Sequence, residues 1–190
     1  MKKIALTLSV LLVLVLALAL TSCGETTETT TETATTTTEP VITTEALPEG
    51  YVRFDNGDIS FAYPQSLTKT DGSTVILTDM TTGNNITVVY EAKTDMYETL
   101  DNNGYKTMFK PAFEAMGMTI SKYNVEQIAK NAKGIAITKV THTASVEGTS
   151  MEQTMLITTV GNKTYTVTVT ERVNDDAFVN NVLNSFGLSK

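Results

Sequence analysis

From residue 50 onward the chain switches between two hydrophobic periods. Tyr51-Val52-Arg53-Phe54 and Ile59-Ser60-Phe61-Ala62-Tyr63 flank Asp55-Asn56-Gly57-Asp58. Asn-Gly between apolar runs is a strong short-range signal for a β-hairpin. Ile59, Phe61 and Tyr63 alternate onto one face, because successive strand side chains point opposite ways. Pro64 ends that strand, since proline has no N–H for the ladder. Residues 74–79 and 86–92 form a second pair around Thr82-Gly83-Asn84. The period then lengthens. Tyr105, Met108, Phe109, Ala112, Phe113 and Met116 recur at three and four, which predicts an amphipathic helix. Pro111 inside it predicts a kink or a late helix start, and Gly117 suits the position just past the end.

Residues 118–129 read as a less regular strand. Three long strands follow, 135–146, 150–160 and 163–172, with Val146-Glu147-Gly148-Thr149 and Gly161-Asn162 supplying the turns. In the last, Tyr165, Val167 and Val169 face one way and Thr166, Thr168 and Thr170 the other. Phe178, Val182 and Phe186 space one face of a closing helix, with Val179 and Leu183 beside them; Asn174 or Asp175 can cap its N–H groups. The order is hairpins, helix, antiparallel meander, helix. It predicts an α+β domain over residues 50–190, an antiparallel β-sheet with helices packed on it.

The first 49 residues show neither period. Lys2 and Lys3 precede an uncharged stretch, Ile4 to Leu20, closed by Leu20-Thr21-Ser22-Cys23. A basic start, an apolar run and a small-residue end make a secretory signal over residues 1–22. The run is about as long as the lower limit for a membrane span, but no basic stop-transfer cluster follows it. The closing tetrapeptide resembles the lipobox of bacterial lipoproteins, with a branched apolar residue three before the cysteine and small residues between. That resemblance implies a diacylglyceryl group on Cys23, cleavage just before it, fatty acylation (palmitate) and a place on the extracytoplasmic face of the cell membrane, or of an outer membrane if the host has one.

Residues 23–49 follow as the lipidated cysteine and a tether of Thr and Glu, with no Lys, Arg or aromatic residue. Such a segment has too little apolar surface to offset chain entropy, so it is expected to be a disordered linker. Glu25, Glu28, Glu32, Glu39, Glu45 and Glu49 repel one another and extend it. As a coil it would span about 25–30 Å, and at full stretch roughly 90 Å.

Composition narrows the function classes. The formal net charge is −7, and the six tether glutamates leave the domain only mildly acidic. A nucleic-acid binder needs a basic face to replace phosphate counterions, so no nucleic-acid partner is expected. One cysteine in the chain excludes an internal disulfide framework and a cysteine zinc site.

The domain's layout resembles the PsbP-like fold family. The resemblance rests on Ile59 to Pro64, a helix after the second hairpin, a long meander ending in Lys163-Thr164-Tyr165-Thr166-Val167-Thr168, and Asn184-Ser185-Phe186-Gly187-Leu188. That family includes an extrinsic photosystem II subunit, a Ran-binding factor and bacterial lipoproteins of the mycobacterial LpqN type. The resemblance implies an αβα sandwich that works mainly by binding other proteins. It assigns no catalytic or partner-binding residue here.

Three constellations carry possible chemistry. His142 is the single histidine, and a Ser–His–Asp arrangement would have to use it. It lies mid-strand, without a glycine elbow around any serine, which favours a structural role. Asp55, Asn56 and Asp58 suggest a calcium loop, but the acidic register and closing glutamate of an EF-hand are missing. Met116, Met118, Met151 and Met155 with His142 are soft ligands that suit copper(I); methionine also fills irregular core gaps, and Met108 and Met116 fall on the predicted apolar helix face. Asp175 and Asp176 read as a charge pair at a helix N-terminus.

The expectation is therefore a membrane-tethered lipoprotein acting as a non-catalytic binding module for another envelope protein. It has no cofactor, no metal and no catalytic residue, and its membrane contact runs through Cys23. The alternative is a small-ligand or copper carrier, and a third reading is an unrecognised hydrolase.

Overall fold

The Asn-Gly turn forms as its residues dictate. In the computed structural model, which describes residues 47–72 and 74–189, β1 (Tyr51–Asp55) pairs with β2 (Ile59–Pro64) in the register Asp55↔Ser60 to Tyr51↔Pro64. Gly57 takes φ +90°, a conformation glycine adopts without steric cost. Asp55 accepts from the Gly57 N–H, and Asn56 accepts from the N–H groups of Asp58 and Ile59. These side chains close the turn rather than assembling a cation loop.

Seven strands form the main antiparallel sheet: β3 (Thr68–Thr70), β4 (Val75–Thr78), β5 (Asn85–Ala92), β6 (Thr119–Ile128), β7 (Ile137–Val146), β8 (Thr149–Val160) and β9 (Lys163–Glu171). Their spatial order is β3-β4-β5-β9-β8-β7-β6. β10 (Gly187–Leu188) joins β2 to complete a small three-stranded sheet with β1. The hairpins and the meander match the periodicity. β3 and β10 lie outside it, because three and two residues are too short to show alternation.

One face of the large sheet carries the main core. Leu77, Ile86, Val88, Leu156, Val167 and Val169 meet Phe54, Ile59 and Phe61 of the small sheet and Phe178, Val182 and Phe186 around the closing helix, α3 (Asp176–Ser185). Each such side chain stabilises the fold by about 1.5–3 kcal/mol when fully buried. Asp175 is the N-cap of α3, its carboxylate accepting from the Ala177 and Phe178 N–H groups, and Asp176 sits in the first turn, as expected.

The opposite face carries the threonines of β9, as the alternation predicts, and it too is covered. Thr164, Thr166 and Thr170 are buried. The covering segment is helical: α1 (Asn102–Gly104), a π turn (Tyr105–Phe109) and α2 (Lys110–Ala115). Tyr97, Leu100, Tyr105 and Phe113 are buried beneath it. With both faces covered, the domain is mostly antiparallel β with helices packed on it.

The helix also departs from its predicted face. Pro111 has no N–H and its ring crowds the preceding turn. The chain meets this with an i→i−5 bond from Lys110 N–H to the Tyr105 carbonyl. The extra residue in that turn rotates everything after it by about one position. Of the predicted face, Tyr105 and Phe113 are buried as expected, but Ala112 is exposed and Met108 is 49 % exposed. The helix stops as predicted: Gly117 has φ +81°, and the Gly117 and Met118 N–H groups bond to the Glu114 and Phe113 carbonyls, the Schellman arrangement.

Candidate functional site

Leu20, Thr21, Ser22 and Cys23, the expected lipidation motif, lie outside the described residues, as do the expected signal segment and nearly all of the expected tether. Among the described residues no helix is long and apolar enough to cross a membrane.

His142 sits on β7, on the face covered by the helical segment, and is 3 % exposed. Its Nε2 lies 2.8 Å from Gln153 Oε1, and Gln153 Nε2 donates to Thr170 Oγ1 at 3.0 Å. That chain makes Nε2 the protonated nitrogen and leaves Nδ1 bare. Neither His142 Nδ1 nor the Tyr105 hydroxyl has a hydrogen-bond partner. The ring packs against Phe113 at 5.0 Å and Tyr105 at 5.7 Å between centroids. Burial lowers its affinity for a proton, against a smaller opposing effect of Gln153. Among the described residues no serine or carboxylate is bonded to it; its partners are Gln153 and the two aromatic rings.

Met118, Met151 and Met155 are buried, while Met116 is half-buried. Register places Met151 opposite Ala144 and Met155 opposite Val140, on the same face as His142. They fill the layer beneath the helical segment, the use methionine commonly has. No group of three or more His, Cys, Asp or Glu able to hold a metal ion occurs among the described residues.

A cleft that the sequence did not indicate opens at one end of the sheet. β7 and β8 pair from Val146↔Thr149 only as far as Thr138↔Ile157. β8 stays paired with β9 to Val160↔Lys163, and β7 with β6 to Ile128↔Ile137. Past Thr138 the β6–β7 hairpin is held to β8 through the Thr158 side chain rather than by backbone pairing. The opening has a volume of about 530 Å³, with Ile128, Ile135, Ile157 and Leu188 among its walls and Gln127 and Thr138 as polar members. Thr158 Oγ1 donates to the Ala136 carbonyl at 2.8 Å, and Gln127 Nε2 and Thr138 Oγ1 donate to the Tyr97 carbonyl. These bonds fix the walls. The signal that could have located the cleft is Ile135-Ala136-Ile137, an apolar run just after a Lys-Gly turn, but nothing local says where two strands part.

Next to the cleft, the first hairpin reaches the β8–β9 turn. Asp58 accepts from Lys163 Nζ at 2.8 Å and from the Tyr165 hydroxyl. Lys163 first, then Tyr165, holds the Asp58 carboxyl below its ordinary range. Lys163 Nζ also lies 5.0 Å from the centre of the Tyr90 ring, and Tyr90 and Leu188 are 59 % and 49 % exposed. This end of the domain therefore shows an open apolar cleft, an exposed aromatic and a compensated ion pair. The chain enters the domain at the other end, because β1 begins opposite the Asp55–Asp58 turn.

No protein-family model matches the chain, and no curated protein sequence does. Among solved structures it is similar to a protein of Bacteroides thetaiotaomicron, with 13 % identity and a TM-score of 0.42 over 70 % of this chain and 45 % of that one. It is also similar to LpqN of Mycobacterium tuberculosis, a protein involved in cell envelope biogenesis, with 12 % identity and a TM-score of 0.42 over 74 % of this chain and 91 % of that one. The chain spans less than half the length of the Bacteroides protein. Likenesses at this level transfer no function to this chain.

Proposed function

We propose that the protein is a lipid-anchored, extracytoplasmic binding module of the cell envelope, with a PsbP-like domain that engages another protein through the cleft between β7 and β8. The observation that carries this is the cleft itself: an open, mainly apolar recess beside exposed Tyr90 and Leu188, at the end away from where the tether joins. Exposed apolar surface next to polar surroundings is the usual mark of an interaction site. The sequence motif at Leu20 to Cys23 supports the anchor, and the Thr/Glu composition of residues 24–49 supports a spacer. The module acts by binding and has no turnover of its own.

A small-ligand carrier is the second reading. The volume of the cleft falls in the range of ligand pockets, roughly 300–1,000 Å³. A photo-crosslinking residue at Ala136, which lines the cleft, separates the two. The protein-partner reading expects a discrete protein adduct from Ala136 and none from Met80, which is 78 % exposed in the β4–β5 turn at the other end. A co-purifying small molecule displaced by the Ala136 probe, with no protein adduct, would favour the carrier.

A further inference from the structure

Among the described residues, hydrogen bonds fasten the helical cover over His142 to the sheet at its start only; its other end runs through Gly117 and Met118 into β6. Its start is bonded to the sheet: Tyr97 and Leu100 carbonyls accept from Gln127, Tyr97 also from Thr138, and Asn102 Oδ1 accepts from the Val125 N–H. Among the described residues, no hydrogen bond ties residues 105–116 to the sheet. Thr107 bonds back to Asn103 and Gly104, and Lys110 pairs with Glu114, all within the segment. What holds 105–116 down is side-chain packing, chiefly Tyr105 and Phe113 on the His142 ring and Tyr105 on Tyr123. The segment is bounded by Gly104 and by Gly117 at φ +81°, and it contains the π turn. Such a segment can open locally without unfolding the sheet.

We propose that His142 is an acid-sensitive latch: protonation at Nδ1 frees the flap of residues 105–116 and uncovers the methionine-lined layer beneath it. The groups facing His142 are Gln153 from β8, Thr170 beyond it on β9, and Tyr105 and Phe113 from the flap, with Tyr123 of β6 behind Tyr105. The titratable ones are tyrosines. Burial raises Tyr105 far above the ordinary phenol range, so it stays neutral, and no carboxylate or cation is among them. With Nε2–H already donated to Gln153, a second proton on Nδ1 would put an uncompensated charge under two aromatic rings. Burying an unpaired charge is costly, and opening the flap returns Nδ1 to water.

The direction follows from linkage. Because the closed form binds the His142 proton more weakly than an exposed imidazole does, acid favours the open form. Closure is fully stable above the ordinary histidine range and weakens as pH falls through that range toward the lowered value of the closed form. Opening then exposes Met155, Met151 and Phe113, a soft apolar surface distinct from the end cleft. The proposal does not depend on what the cleft binds.

Hydrogen exchange of the full chain in detergent, read by mass spectrometry at pH 7.5 and pH 5 and corrected for intrinsic rates, tests this. Protection of residues 105–116 should fall by up to about tenfold for each pH unit below the ionisation of the exposed imidazole, while β8 and β9 stay protected. His142→Phe and His142→Gln should both abolish the pH dependence. The single histidine gives one resolved imidazole resonance, which in wild type should titrate below the ordinary range. Equal protection of the flap at both pH values, loss of protection in all strands together, or an imidazole titrating normally would overturn the latch. So would a pH dependence that survives in a folded His142 variant. Wild type alone decides the matter if neither variant folds.

Discussion

Cys23→Ser is expected to abolish fatty-acid labelling of the protein completely and to leave the precursor at its full length. The serine hydroxyl is nearly isosteric with the thiol but cannot take the thioether-linked diacylglyceryl group that the Leu20-Thr21-Ser22-Cys23 motif implies. Lipoprotein processing cuts only before the modified residue, so cleavage before residue 23 is lost with the lipid. Two acyl chains give stable anchoring where one is marginal, since each buried CH₂ contributes about 0.8 kcal/mol. Metabolic labelling with an alkyne fatty acid, followed by mass measurement of the chain, reads both effects. Unchanged labelling of the serine variant would sink the anchor.

The largest stability effect should come from Phe61→Ala. Phe61 is fully buried on β2. Its ring stacks on Phe54 at 4.7 Å and 19° and approaches Phe186 at 6.3 Å, so it ties the small sheet to the end of α3. Truncation removes the ring and leaves a cavity between two sheets that cannot both collapse. Such substitutions cost about 3–5 kcal/mol, against a typical total of about 5–15 kcal/mol. Denaturant unfolding of the Phe61→Ala variant should show a midpoint shifted by that amount or no cooperative transition. A loss below about 1 kcal/mol would mean that the two sheets are not packed as described.

Elements with long, regular periods were legible in the sequence, and the failures have physical causes. The Asp55–Asp58 hairpin, the β7–β9 meander and the Asp175 cap follow from local chemistry: a turn that needs Asn-Gly, alternation over ten residues, a carboxylate beside bare N–H groups. The rotated helix face was not legible, because Pro111 predicts a disturbance but not that an extra residue is absorbed before it. The burial of the threonines was not legible for a related reason. Thr166 and Thr170 look like a solvent face until a segment some sixty residues earlier folds over them, and threonine tolerates burial when its hydroxyl has a partner, as Thr170 does with Gln153. The cleft was invisible because it arises where pairing stops between Thr138 and Ile157, a property of two strands and of neither alone.

Anchor, tether and cleft combine in one physical argument. On the proposed reading, a two-chain lipid would fix the protein at the membrane, and a self-repelling tether would confine the domain to a shell a few tens of ångströms deep. Such confinement would raise the effective concentration toward anything held in the same layer, enough for a micromolar contact to be occupied. A freely diffusing solute gains nothing comparable.

In-cell crosslinking from Ala136, followed by mass spectrometry, compares three forms: wild type, the unlipidated secreted form, and a form with Gly24–Glu49 shortened. The account predicts a specific envelope-protein adduct in wild type, much less of it in both altered forms, and an unchanged affinity of the isolated pair. Equal adducts from all three forms, or no envelope adduct together with a specific turnover by the purified protein that His142→Ala abolishes, would contradict it.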